Sequence, residues 1–206
     1  MELIRFIGVG TVFASMTFEE IYQQIEPIEG WMGESDCIAL YEGVKNVYGL
    51  IVEIGAYMGR STKLLALSSP QSTIITIDSY KENPFFSYPC EEIKEKFYKT
   101  VKGLPVTLIN EDSHVVGKTW DRPIDFLFID GSHLYDDVLL DIKLFIPHVK
   151  KGSYVYFHDY YTKDETVKYQ PNRHGVYKAV QELKDEYFDE IKVDSEHHGF
   201  AICRRK

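Results

Sequence analysis

Apolar and polar positions along this chain fall into short blocks with two different periods. Thr17-Phe18-Glu19-Glu20 opens with an N-cap, and Phe18, Ile21, Tyr22 and Ile25 follow at helical spacing until Pro27 ends the run. Cys37 to Val47 carries a second helical pattern. Strands and helices then alternate. Strands are expected from near Leu50 to Glu53, and at Ser72–Ile77, Val106–Ile109, Ile124–Ile129 and Ser153–Phe157. Helices are expected at Ser61–Leu67, Cys90–Val101 and Tyr135–Phe145, the last stopped by Pro147. After a helix over Gly175–Tyr187, Glu190–Val193 and Gly199–Arg204 read as two further strands. The alternation argues an α/β fold with a doubly wound, mostly parallel seven-stranded sheet. Asp194 to His198 is too short for a parallel crossover and suits a hairpin, so one strand should run antiparallel at the sheet edge.

Composition narrows the class. At 206 residues the chain is expected to be a single domain (1–206), with a helical cap at 1–48 and an α/β core at 49–206. A formal charge of −9 disfavours a nucleic-acid partner or an anionic membrane surface. Cys37, Cys90 and Cys203 form no C-x-x-C pair, which points to reduced cysteines and a cytoplasmic location. Phe6 to Met16 is apolar or small, but Glu2 spoils a basic leader and no A-x-A-like site follows. No other run approaches membrane-spanning length.

The candidate chemistry lies at the strand ends, where open α/β sheets bind ligands. Glu53-Ile54-Gly55-Ala56-Tyr57-Met58-Gly59-Arg60-Ser61 joins a strand to a helix through a glycine turn, which offers backbone N–H groups to a ligand with the helix dipole behind them. Asp78 and Ser79 follow the second strand, where a carboxylate can take both hydroxyls of a ribose. Glu111-Asp112-Ser113 follow the third; Asp112 and Ser113 suit a purine edge or a plain helix cap. Asp130 follows the fourth strand, and His158-Asp159 the fifth. His133 and His158 each stand near an acid, as a base oriented by a carboxylate would.

These residues carry a resemblance. Val52 to Ser61, with Asp78 and Glu111-Asp112-Ser113, resembles the cofactor motifs of class I S-adenosylmethionine-dependent methyltransferases. The reversed terminal hairpin resembles them too, over about Gly30 to Arg204. The resemblance implies a Rossmann-like methyltransferase fold in which Glu53, Gly55, Tyr57, Gly59 and Ser61 meet the methionine end of S-adenosyl-L-methionine. Asp78 and Ser79 would then meet the ribose, Asp112 and Ser113 the adenine, and Asp130 the junction with the acceptor. Phe128-Ile129-Asp130-Gly131-Ser132-His133-Leu134-Tyr135-Asp136-Asp137-Val138, with Asp141 after it and Lys151 to Asp159 beyond, is similar to a narrower subgroup. That subgroup contains sugar O-methyltransferases and cephalosporin-hydroxylase-like proteins. It implies His133 as general base with Asp130 and His158 in the catalytic cluster, and Asp130 and Asp159 as ligands of Mg²⁺. His158 stands where metal-dependent members carry Glu, so a metal on Asp130, His158 and Asp159 would be Mn²⁺ more readily than Mg²⁺. A metal-free acid–base cluster is the equal alternative.

The expected function is O-methylation of a small molecule or sugar. The alternatives are a non-methylating relative that binds the same cofactor, and an NAD-dependent dehydrogenase, whose G-x-G-x-x-G is missing. Trp31 and Met32 read as a lid over the cofactor or a cap on the sheet edge, and Tyr57 as cofactor wall or helix packing. Phe85, Phe86 and Tyr88 form an aromatic loop for an acceptor or a homo-oligomer partner, and Tyr160 to Arg173 a substrate lid. His114, His148, His174, His197 and His198 carry no such context, and the charged face of Glu91 to Lys102 reads as solvated helix surface.

Overall fold

A computed structural model describes residues 16–81, 88–161, 174–194 and 199–206. Phe85 and Phe86, most of the Tyr160–Arg173 segment, His197-His198 and most of the Phe6–Met16 run lie outside those residues. Helix α1 (Phe18–Ile25) starts at Thr17, whose hydroxyl accepts from the Glu20 N–H while Glu20 accepts from the Thr17 N–H. Helix α2 (Glu34–Val44) starts before the expected Cys37, because Asp36 accepts the Gly33 N–H at 2.8 Å and so caps the first turn.

The alternating elements follow as β1 (Leu50–Ile54), α3 (Arg60–Ser68), β2 (Thr73–Ile77), α4 (Cys90–Thr100) and β3 (Val106–Ile109). Then come α5 (Ser113–Gly117), β4 (Ile124–Ile129), α6 (Tyr135–Phe145), a 3₁₀ turn (Ile146–His148) and β5 (Val149–Phe157). Helix α7 (His174–Tyr187), β6 (Phe188–Asp194) and β7 (Phe200–Arg205) close the chain. Strand β5 begins earlier than expected: Lys150-Lys151-Gly152 hides it in the sequence, yet Val149 pairs with Ile124 and Lys150 reaches Asp125 at 2.6 Å.

The sheet order is β3-β2-β1-β4-β5-β7-β6. Strands β1 to β5 pair in parallel, and β7 pairs antiparallel with both β5 and β6. The antiparallel strand therefore does not lie at the edge as expected; it is inserted one place inside, and β6 forms the edge. The side chains explain the swap. Phe200, Ala201 and Cys203 of β7 are buried, whereas Asp189, Glu190 and Lys192 of β6 suit a charged border.

Burial on both faces accounts for the near-continuous apolar strands. Leu50, Val52 and Ile54 share one face with Leu127, Ile129, Val155 and Phe157, under α6 and α7. Ile51, Phe126, Phe128, Tyr156 and Phe200 face the other side, under α1, α2 and α3. A third cluster joins Ala56 and Met58 of the glycine turn to Tyr80 and to Ile93 and Phe97 of α4. This packing fixes the turn from behind. Phe128 is fully buried, its ring 6.0 Å from that of Phe200. Phe128→Ala should cost about 3–5 kcal/mol in urea unfolding, with the far-ultraviolet dichroism of the folded state retained.

Candidate active site

The glycine turn is built by contacts that exclude side chains. Gly55 has φ +91°, and a Cβ there would lie 2.2 Å from the Asp130 carbonyl oxygen. Gly59, at φ 86°, is the left-handed N-cap of α3 and packs on Phe97 and Thr100. Tyr57 is left-handed without being glycine, at φ 46°. Its conformation is held from both ends: the Tyr80 hydroxyl donates to its carbonyl at 2.9 Å, and its own hydroxyl donates to Glu29 at 2.9 Å. Trp31, largely exposed, rests on the Tyr57 ring at 4.5 Å. Met32 instead is buried in the core on the α3 side of the sheet.

Glu53 stands one layer below. It is fully buried, and its carboxylate accepts from Ser61, Thr62 and Thr76, each at 2.5 Å. The Ser61 hydroxyl is thus turned inward, so any contact of this position with a ligand falls to the backbone N–H at the start of α3. Burial pushes Glu53 up to about 7, against the pull of the hydroxyls. Asp78 faces the turn: one oxygen accepts the N–H groups of Ala56 at 2.8 Å and Tyr57 at 3.1 Å, the other that of Tyr80 at 2.8 Å. Ser79 follows it, half-buried. Asp112 caps α5 by accepting the His114 N–H at 2.9 Å, and Lys81 approaches it at 2.6 Å and holds its carboxyl below the usual range.

At the ends of β4 and β5 the acids and histidines converge. His133 Nε2 lies 3.0 Å from Asp159 Oδ2, and His158 Nδ1 lies 3.0 Å from Asp130 Oδ1 and 3.4 Å from Asp159. Asp159 adopts φ 55°, which turns its carboxylate back between the two imidazoles. Burial depresses the His158 imidazolium, but Asp130, Asp159 and Asp36 outweigh it and raise the group well above its ordinary value. His133 is likewise depressed by burial and raised on balance by Asp159 and Asp130. Burial would raise Asp159, but the two histidines hold it far below the carboxylate range.

Among the described residues, Asp130, His133 and Asp159 form a group whose ligand atoms all lie within 4.8 Å of one another. His158 is outside it, which departs from the expected set of Asp130, His158 and Asp159. His158 packs on Phe200 at 5.0 Å, with Nδ1 held by Asp130 at 3.0 Å and Nε2 3.7 Å from Asp36. Two carboxylates and an imidazole fit a divalent ion that accepts mixed oxygen and nitrogen donors. Sequence reasoning missed Asp36, Tyr80, Thr62 and Thr76. Only Asp36 had a local signal, its place three residues after Gly33.

A family model described as a methyltransferase domain matches residues 52–160, more than half of the chain. The chain belongs to this methyltransferase family. No finding favours a dehydrogenase, and the insertion of β7 departs from the strand order of dinucleotide-binding sheets. A curated relative, uncharacterized protein R132 of Acanthamoeba polyphaga mimivirus, is 32% identical over 115 residues, which are 53% of this chain and 50% of that protein. The match thus spans about half of the relative's length. Among solved structures, the Podospora anserina methyltransferase PaMTH1 bound to S-adenosylhomocysteine aligns at TM-score 0.67 and 15% identity, covering 92% of this chain and 87% of that one. The Bacillus cereus O-methyltransferase in complex with S-adenosylhomocysteine gives 0.64 and 16%, covering 92% and 90%. CalS11, a TDP-rhamnose 3'-O-methyltransferase, gives 0.57 and 17%, covering 91% and 92%. These likenesses show that the methyltransferase fold is shared. Among the described residues no helix is long and apolar enough to cross a membrane.

Gly55→Ala should abolish binding of S-adenosylhomocysteine in titration calorimetry, since the added methyl must push the turn off Asp130. For Glu53, the folded group keeps a proton between pH 4.5 and about 7 that the unfolded chain has lost, so raising pH through that window costs stability. Glu53→Gln cannot titrate. Its stability relative to wild type should therefore improve from pH 4.5 to pH 8 by on the order of 3 kcal/mol, read by denaturant unfolding at both ends.

Proposed function

We propose that this methyltransferase-family chain transfers the methyl group of S-adenosyl-L-methionine to an oxygen of a small-molecule or sugar acceptor, with His133 as general base. The observation that carries the reading is the His133–Asp159 pair beside the glycine turn. The single-domain reading, with residues 1–48 as a helical cap over a core of 49–206, goes with it. Gly55, Tyr57 and Gly59 would hold the methionine end by backbone groups, with Glu53 and Ser61 fixing the turn beneath. Asp78 and Ser79 would meet the ribose, and Asp112 and Ser113 the adenine. A sugar acceptor accords with the activity in the name of CalS11.

Methyl transfer from a sulfonium is intrinsically favourable, so the protein's work is in-line placement of the acceptor and removal of its proton. The acceptor oxygen attacks the methyl carbon, the carbon–sulfur bond breaks, and S-adenosylhomocysteine leaves. With His133 Nε2–H donating to Asp159, Nδ1 is the lone pair that takes the acceptor's proton. Asp159 and Asp130 make that imidazole more basic than in water and stabilise the cation that forms. His158 lies between Asp36 and Asp130, and these acids with Asp159 favour its charged form. A divalent metal, if used, would be held by Asp130, His133 and Asp159. It would supply Lewis-acid polarisation of the acceptor oxygen and would use His133 as a ligand instead of a base.

Calorimetry with S-adenosylhomocysteine tests the cofactor: binding is expected, and no heat at millimolar ligand with folded protein overturns the reading. The acceptor is sought with labelled cofactor and a metabolite extract. His133→Ala should then lower turnover by about 10²–10⁴-fold with cofactor affinity retained. Turnover should rise with pH through a midpoint above the ordinary histidine value, because the base must be neutral. Chelator should leave turnover unchanged; loss restored by Mn²⁺ would assign the cluster to a metal.

A further inference from the structure

Gly175, at the start of α7, has no role in the mechanism above, yet it lies against the backbone that carries His133. A Cβ at Gly175 would fall on the His133 carbonyl oxygen, 2.5 Å from the Tyr135 nitrogen and 3.0 Å from the Leu134 carbonyl carbon. All three are backbone atoms, so no side chain can swing away to admit a methyl group. Gly175 is buried in a helix, where alanine is otherwise the better former. The close approach, and not the helix, accounts for glycine here.

The same helix grips the chain beside the other member of the pair. Tyr160 follows Asp159 directly and is buried. Gln181 Nε2 donates to the Tyr160 hydroxyl at 2.6 Å, and the Tyr177 ring lies 5.3 Å from that of Tyr160. Lys184 donates to Gln181 Oε1 at 3.0 Å, which orients the amide with its nitrogen toward Tyr160. Residues 177 and 181 share one helical stripe, and 175 lies away from it. Helix α7 thus stands as a spacer between the loop of His133 and the chain after Asp159. His133 Nε2 and Asp159 Oδ2 meet at 3.0 Å across that span.

From this geometry we infer that Gly175 and Gln181 are positioning residues for the His133–Asp159 pair: α7 sets the spacing at which the imidazole meets its carboxylate. Gly175 acts through the His133 backbone, and Gln181 through Tyr160. A side-chain hydrogen bond tolerates little lengthening, so a loop pushed off Gly175 breaks it. The catalytic meaning of the spacing rests on the role given to His133 under the proposed function; the spacing itself does not.

Imidazole proton–nitrogen spectra of the full chain, with isotope-labelled histidines, test it. His133→Gln and His158→Gln assign the two signals. Wild type should show a His133 ring N–H protected by the bond to Asp159. Folded Gly175→Ala should lose that signal, while the His158 signal, held by Asp130, remains. Gln181→Met removes the donor to Tyr160, should also lose the His133 signal, and carries the test if the alanine variant does not fold. Gln181→Glu still accepts from the Tyr160 hydroxyl and should keep the signal. In the folded Gly175→Ala and Gln181→Met variants, affinity for S-adenosylhomocysteine should match wild type, while label transfer to the metabolite extract falls by about tenfold or more. A His133 signal absent from wild type, unchanged in the folded variants, or lost equally in Gln181→Glu overturns the inference and leaves the proposed function standing. A signal lost as expected, with label transfer at the wild-type rate, supports the positioning and overturns His133 as the base.

Discussion

The close approach of Gly55 to the Asp130 carbonyl is the constraint on which the site depends. It brings the end of β1 against the end of β4 with no side chain between, so the glycine turn and Asp130 share a wall. Everything behind the turn keeps it there. Glu53 is pinned by hydroxyls from α3 and β2, Asp78 by the turn's own amides, and Met58 packs into the cluster beneath Phe97. Hydroxyls satisfy Glu53 geometrically but leave it at about 7, and the turn accordingly stands on a group that titrates near neutrality.

The strand ends carry two different electrostatic solutions. Beside the glycine turn, Asp78 accepts backbone N–H groups and so shapes the loop. At the ends of β4 and β5, acids face imidazoles instead. His158 is the extreme case, enclosed by Asp36, Asp130 and Asp159 with almost no exposure. Because Asp36 belongs to α2, that helix reaches His158 directly.

Much of this was legible in the chain. Strands buried on both faces announce themselves as apolar runs, and the acids that follow them fall on one rim whatever the details of packing. Asp130, His133 and Asp159 were found for that reason. What escaped depends on contacts between segments distant in sequence. Asp36 and His158 are 122 positions apart by their numbering and meet only after α2 packs on the sheet. The place of β7 was missed because a hairpin fixes pairing, whereas burial decides which of its strands goes inside.

The left-handed backbone at Asp159 has a further consequence for what this position can be. At φ 55°, side chains longer or branched at Cβ are disfavoured, while Asp and Asn are tolerated because their short polar groups satisfy the local backbone. Glycine would relax the chain and lose the charge. Asparagine would keep the shape and lose the charge. Glutamate would keep the charge and strain the chain. Aspartate alone among the twenty meets both demands, so the alphabet at this site is narrowed twice over, by chemistry and by the fold.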